Sequence, residues 1–411
     1  MRRHLTPGDA RVYAGRVPEI DTTSTYRGIE LDEEYRLLHG ASLLALFCVG
    51  MYAASFGPVL PFLASDVGVS LDTAGLILTA LFLGSIAASA TIAIALHQGD
   101  TRLLTMIGLA CNIAGITLVG LAPTWPLALA GAVVLGVGDG LVVAALHILV
   151  GLTSRDVPSA LNRLNLYFAF GAIAGPLWAG AVLAAGGQRA IVYGGIAALQ
   201  AAALAMMAAA AGPPAAAPVP HDEEFPLPHS ATAWIMGTVL FLYVGAEFGL
   251  GSWVSSYTRE TAHAGVFAAA ALSAGYWAAL ALGRIVSGVY FARGRDATAL
   301  LIASVAGGGV AAGVLALSSG NIAVAAAAAF GAGLCFGPIW PATMAIGAKG
   351  GRPSSTAAIV TVGNAGGLAL PWLQGKVLVG AGAAQGVAVT AALCALMLAI
   401  VVAFGSRRRA A

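Results

Sequence analysis

Gly136-x-Gly138 and Gly171-x4-Pro176-x3-Gly180 return, with no gap between them, as Gly331-x-Gly333 and Gly366-x4-Pro371-x3-Gly375. The offset is 331 − 136 = 195 residues, nearly half of a 411-residue chain, and Val49-Gly50 obeys it too as Val244-Gly245. Of the 7 glycines from 136 to 180, 4 meet a glycine, where 54 glycines in 411 residues would supply about one by chance. A repeat of this length in so apolar a chain is the mark of duplicated membrane-embedded halves, the layout of many secondary transporters.

Composition points the same way. Hydrophobic residues make up 59% and charged residues 9%, with a mean hydropathy of +0.87. A soluble protein of this length would not solvate itself with so few charges. The apolar stretches are long enough to cross a hydrocarbon core of roughly 30 Å as helices. Twelve spans are expected, at about 40–63, 72–96, 102–122, 125–150, 160–184, 190–212, 231–257, 264–291, 297–318, 321–347, 354–377 and 384–405. The glycines and prolines inside them are tolerated because neighbouring helices re-satisfy the backbone.

Basic residues orient the bundle. With the N-terminus inside, the cytoplasmic segments hold Arg2, Arg3, Arg11, Arg16, Arg27, Arg36, Arg102, Arg155, Arg163, Arg293, Arg295, Lys349, Arg352 and Arg407 to Arg409. The opposite side holds Arg189, Arg259 and Lys376, a balance of 16 against 3 with Arg284 left inside a helix. Both termini are expected in the cytoplasm, in a cell membrane, which requires an even number of spans. The fold expected is an all-α membrane protein, twelve transmembrane helices forming two pseudo-symmetric six-helix bundles. Residues 1–38 read as a flexible cytoplasmic tail and 39–212 as the first bundle. The proline-rich 213–230 reads as a cytoplasmic linker, 231–405 as the second bundle and 406–411 as a basic cytoplasmic tail. No apolar run precedes the first span, so no cleaved leader is expected. Cys48, Cys111, Cys335 and Cys394 all fall inside spans without metal-ligand spacing and read as buried free thiols.

Ionisable side chains inside lipid are costly and need a reason. Asp139 lies near the middle of the fourth span, in Gly136-Val137-Gly138-Asp139-Gly140, and Glu247 near the middle of the seventh. His147 follows Asp139 by two turns, rotated by about 80° on an ideal helix. A carboxyl away from water can load or release a proton near neutral pH. Asp139, Glu247 and His147 are therefore the candidates for proton coupling. The competing reading is a carboxyl hydrogen-bonded between helices, or ionised in a watery cavity, that couples nothing. Arg284 belongs to Gly283-Arg284-x-x-Ser287-Gly288, running into Arg293-x-Arg295-Asp296 at a turn. Gly283, Arg284, Gly288 and Arg293 are expected to have a structural or gating role, with the arginine set against a helix end or a carboxylate. Trp253 and Tyr257, four apart on one helix face, and Asn165, Asn364 and Trp340 are candidate contacts for a solute. Rings beside amides suit a sugar, whose C–H faces stack while its hydroxyls need partners. The same aromatic residues also suit an interfacial belt.

At these residues the chain resembles the major facilitator superfamily, over nearly all of 40–405. Within it, the chain is most similar to the fucose- and glucose-type sugar:cation symporter branch. Gly136-x-Gly138-x-Gly140, Leu161-Asn162-x-Leu164-Asn165 and Phe170-Gly171-Ala172-x-x-Gly175-Pro176 look like that branch's fourth and fifth spans. Glu247-x5-Trp253-x3-Tyr257 and Phe336-x-Pro338-x-x-Pro341 look like its seventh and tenth. There are departures. The branch's first-span acid is absent from Ser55-Phe56-Gly57-Pro58, and its fourth-span acid falls where this chain has Val142, three residues after Asp139. Its proton relay therefore does not carry across unchanged, although Asn165 keeps a polar residue at the fifth-span contact.

The resulting expectation is a secondary transporter moving a small polar, sugar-like solute by alternating access, coupled to protons or another cation. The alternative is a proton-driven efflux antiporter for drugs or amphipathic metabolites. No enzyme activity, cofactor, metal or nucleic-acid partner is expected, since no nucleophile–base pair, metal cluster or phosphate loop stands out. The chain is expected to work as a monomer in the lipid bilayer. Under the repeat, Asp139 faces Leu334, His147 faces Ala342 and Glu247 faces Tyr52. The scaffold repeats and the charges do not.

Overall fold

The computed structural model describes residues 35–95, 100–212, 230–318, 320–347 and 353–410. The expected N-terminal tail up to residue 34, the linker from 213 to 229, Lys349 and Arg352 lie outside the described residues. Among the described residues the regular structure is helical throughout. In chain order the helices are α1 (Arg36–Val67), α2 (Leu71–Ala74), α3 (Leu76–Ala95), α4 (Thr101–Leu121), α5 (Trp125–Thr153), α6 (Val157–Ala184) and α7 (Arg189–Ala209). The second half follows as α8 (Ala231–Thr261), α9 (Val266–Ala292), α10 (Ala297–Leu317), α11 (Ile322–Phe336), α12 (Ile339–Gly347), α13 (Pro353–Ala381) and α14 (Ala383–Ala410).

These make twelve spans, because α2–α3 and α11–α12 are each one span interrupted. Eleven are long and apolar enough to cross a membrane by length and composition. The twelfth is α13, 29 residues long. The second interruption has a local cause: Pro338 supplies no backbone N–H, so the helix ends at Phe336 and restarts at Ile339. Helix starts are capped where the sequence offers acceptors. Asp296 Oδ2 takes the Ala299 N–H, Ser230 Oγ takes that of Ala233, and Asn321 Oδ1 takes those of Ala323 and Val324. The turn expected at Arg293 is present: Arg293 is the exposed C-cap of α9, and Gly294 follows with φ +66°. At the other end α14 continues as helix through 406–410.

The two halves pack alike. In the first, α1 packs on α6 and α7, α5 on α3 and α4, and α4 on α7. In the second, α8 packs on α13 and α14, α11 on α9 and α10, and α10 on α14. Each contact of the first bundle thus has its counterpart in the second, as the 195-residue repeat requires. Glycine permits the closest crossings. A side chain at Gly171 would land on the Phe47 carbonyl, and one at its repeat partner Gly366 on the Phe241 carbonyl. The repeated glycines are not all equal: Gly136 abuts the Leu81 backbone, but Gly331 meets only the Ala311 methyl at 3.7 Å. Gly288 has open space around it, so the close packing expected there is confined to Gly283, which abuts the Leu334 carbonyl.

The bundles meet mainly through α6 with α9, α3 with α13 and α1 with α8. Among the described residues, the side-chain contacts across this seam that follow lie between the midplane and the face opposite the start of α1, here the distal face. Gly57 packs on Ser252, Gly75 on Trp253, Gly367 on Phe82 and Gly180 on Ala270. Lys376 Nζ lies 3.2 Å from Asp72 Oδ2, and the Arg259 guanidinium lies 5.3 Å from the Phe62 ring centroid. Arg189 ties the ends of three helices together, donating to Asp66 at 2.7 Å and to the Val119 and Ala122 carbonyls. All three basic residues of the distal face are therefore engaged in fastening helix ends. At the opposite end, Asn162, Arg163, Asn165, Leu166 and Tyr167 of α6 and Leu282, Ile285, Val286 and Val289 of α9 are exposed. Replacing Gly171 or Gly366 with valine forces α1 from α6, or α8 from α13. Each change is expected to cost about 1–3 kcal/mol, read as a lowered melting temperature of the purified protein, while Gly288→Val leaves it unchanged.

Candidate functional site

The glycines at 136, 138 and 140 set the first polar cluster. Gly136 and Gly140 lie against the backbone of α3 at Leu81 and Ser85, and Gly138 lies against α4 at Gly108 and Asn112. With α5 drawn this close, Asp139 enters the middle of the bundle. Tyr52 Oη of α1 donates to Asp139 Oδ1 at 2.6 Å, and Ser85 Oγ of α3 donates to Oδ2 at 2.9 Å. Both carboxyl oxygens are thereby held by neutral hydroxyls. Asn112 stands beside this group, fully buried, with neither side-chain atom hydrogen-bonded.

The second cluster is built on α8 and α9. Glu247 is 3% exposed, and its Oε1 accepts from Arg284 Nη2 at 3.1 Å. The arginine side chain is 37% exposed, so the pair has a buried anion and an accessible cation. Tyr276 Oη donates to the Glu247 backbone carbonyl at 2.9 Å. Tyr243, one turn before Glu247, is fully buried, with its hydroxyl beside Glu247 and Arg284 but in no hydrogen bond of full geometry, and the buried Arg284 Nε makes none either. Under the repeat Glu247 and Tyr52 occupy the same place, so each bundle puts one polar side chain at this point of its first helix.

A run of aromatic rings surrounds the second cluster. Trp340 lies 6.5 Å from Tyr243, Tyr243 6.1 Å from Phe336, and Phe336 6.4 Å from Tyr276. The run continues from Tyr276 to Trp277 at 5.4 Å, to Phe248 at 5.8 Å, and across the seam to Phe82 of α3 at 5.0 Å. Tilted and edge-on rings of this kind pack densely. The far end of the run, Trp277, Phe248 and Phe82, crosses from one bundle to the other. An apolar groove of about 500 Å³ between α10 and α11, lined by Ala311, Val314 and Val324, lies apart from this region.

The other expected site residues divide. Arg284 does stand against a carboxylate, and Trp340 is half-buried against Tyr243. Asn364 is half-buried on α13. Asn165 is exposed, with its amide donating to the Leu161 carbonyl of its own helix at 2.9 Å. His147 Nδ1 likewise bonds the Val143 carbonyl at 2.6 Å. Trp253 and Tyr257 are placed differently from the expectation: both are fully buried. Trp253 donates to the Pro371 carbonyl at 2.7 Å and lies under Gly75 and Gly375, while Tyr257 bonds the Leu315 carbonyl and Ser318. Trp253 fastens the distal seam, where Gly75 and Gly375 leave room for its ring, and Tyr257 ties α8 to the end of α10 within the second bundle. Ser85 and Tyr276 were not singled out from the sequence, since nothing local marks one hydroxyl among many. Tyr52 had a signal, its place opposite Glu247.

Removing one partner of a buried ion pair strands the other. Glu247→Gln and Arg284→Gln should each lower the melting temperature, and the double variant should lower it by less than the sum. A coupling of about 0.5–3 kcal/mol is expected in the cycle; additive effects would deny the pair.

Comparison with known proteins fits this architecture. A yeast protein from Saccharomyces cerevisiae, "Bypass of stop codon protein 6", is 30% identical over 165 residues, covering 37% of this chain and 33% of the relative. The chain thus aligns with about a third of that protein's length. The crystal structure of a nucleoside transporter superposes with a TM-score of 0.76 at 11% identity, covering 89% of this chain and 99% of that one. That of a D-xylose-proton symporter gives 0.72 at 12% identity, covering 89% and 97%. At these identities the likeness is one of fold, shared with carriers of different solutes and not confined to a fucose- or glucose-type branch. The family model for the Major Facilitator Superfamily matches residues 42–371. The chain is a membrane transporter belonging to the Major Facilitator Superfamily.

Proposed function

We propose that this protein carries a small polar organic solute across the cell membrane by alternating access, coupled to protons, and that Asp139 is the coupling group. The carrying observation is that both oxygens of this midplane carboxyl rest on the hydroxyls of Tyr52 and Ser85. A hydroxyl both donates and accepts. Carboxylate and carboxylic acid can therefore occupy the same site, with one hydrogen bond reversing its sense and no helix moving. Glu247 differs, because its partner Arg284 has only donors. His147, tied to its own helix, stands outside the proton set.

The bias of 16 basic residues against 3 favours cytoplasmic termini, with 1–38 and 213–230 as a cytoplasmic tail and linker. On that reading the seam is shut toward the outside and the exposed stretches of α6 and α9 border an inward-open cavity. Asn165 faces water there and meets solute once the bundles rock together, with Asn364 and Trp340 as further contacts. One chain supplies both bundles, so a monomer suffices. A reporter fused after Ala411 should be active only if its cytoplasmic form is read; a periplasmic or external signal would overturn the orientation.

The function is tested with the solute that stabilises the purified protein in a melting screen of sugars, nucleosides, amino acids and drugs. In proteoliposomes with an imposed pH gradient, wild type should accumulate that solute. Asp139→Asn should still exchange it across the membrane at near wild-type rate but lose accumulation above equilibrium. Undiminished accumulation in that variant sinks Asp139 as the coupling group.

A further inference from the structure

Resting on the transport reading, we propose that the solute is an organic anion, a carboxylate in the first instance, docked on Arg284, with Glu247 as the internal anion it displaces. The pair is unequal: Glu247 is 3% exposed and the Arg284 side chain 37%. A guanidinium exposed at membrane depth faces a water-filled cavity rather than lipid. Guanidinium carries five N–H donors in a planar fork suited to two-pronged contact with carboxylate. Here the recorded contact to Glu247 is a single Nη2–Oε1 bond of 3.1 Å, and Nε is buried without a partner. The cation is held in place but its fork is not filled.

A second orphan completes the argument. Tyr243 Oη is buried one turn before Glu247, beside both Glu247 and Arg284 but without a hydrogen bond of full geometry to either. Buried donors without partners are rare in native proteins. Both orphans are accounted for if Glu247 has two positions, one on Arg284 in the empty carrier and one on Tyr243 when a solute carboxylate has taken the arginine. Tyr276 of α9, which holds the backbone of Glu247, does not need to move. The half-buried Trp340 ring, stacked edgewise on Tyr243, offers an apolar wall for the body of the solute. At the interruption between α11 and α12, Gly337 lies against the backbone of Arg284 and fixes the arginine's helix beside Trp340's. Under the repeat Arg284 corresponds to Ser89, so the first bundle has no equivalent anion site.

Full-length protein in detergent, with no gradient, is melted with acetate, lactate, pyruvate, succinate and benzoate. Each is set against its amide at equal ionic strength, with glucose and uridine as neutral probes. At least one carboxylate should raise the melting temperature of wild type while its amide does not. Glu247→Gln should bind that carboxylate more tightly, because the internal competitor is gone. The paired variant Glu247→Gln/Arg284→Gln leaves no charge stranded and should bind it about 10-fold more weakly than wild type or worse. Tyr243→Phe, which breaks no existing bond, should weaken binding without lowering the ligand-free melting temperature. Stabilisation by neutral probes alone, by no carboxylate, or by a carboxylate equally in the paired variant overturns the proposal. Accumulation in Asp139→Asn reads proton coupling, and the carboxylate-dependent melting shift in the paired variant reads the anion site, so a failure of one is distinguishable from a failure of the other.

Discussion

Water is absent from the middle of the bilayer, and every polar group placed there must find its partner within the protein. That constraint organises this chain. Its midplane polar side chains are few, and the principal ones stand in two sets: Asp139 with Tyr52 and Ser85 in one bundle, Glu247 with Arg284 and Tyr276 in the other. Neither set is local in sequence. Each draws on two or three helices, so the helices must cross closely enough for short side chains to touch. Glycine makes that possible, as where Gly136 and Gly140 bring α5 onto α3 and present Asp139 to Ser85.

The same constraint separates the two carboxyls by chemistry. Hydroxyl partners serve a carboxyl in either protonation state. A guanidinium serves only the ionised one, and protonating Glu247 would leave Arg284 uncompensated. A duplicated scaffold thus carries two clusters of different kind, a carboxyl with neutral partners in one half and a carboxyl with a cation in the other. The Phe248–Phe82 contact and the seam fastened by Trp253, Lys376 and Arg259 hold the two bundles together toward the distal face. A carrier needs such a closure at one face while the other stands open.

Much of this was legible in the chain. The spans were expected within a few residues, because twenty or so apolar residues between polar breaks have no other stable use in lipid. Asp139 and Glu247 were legible for the same reason, as charges where charge is costly. Trp253 and Tyr257 show where such reading ends. Their spacing placed them on one helix face, but spacing does not say whether that face meets a cavity or a neighbouring helix; the glycines at 75 and 375 made room for Trp253, and the end of α10 took Tyr257. Ser85 and Tyr276 were illegible because a hydroxyl acquires a role only from what packs opposite it.

The amino-acid sequence by itself determined the membrane class, the twelve spans, the duplication and the two costly carboxyls, all properties of hydropathy and spacing along one dimension. Only the tertiary structure decided that Asp139 has neutral partners while Glu247 has a cation, and that Trp253 packs into the seam between the bundles. Partnership is a distance between helices far apart in the chain, and that distance is set by how glycine-lined surfaces of separate helices come together.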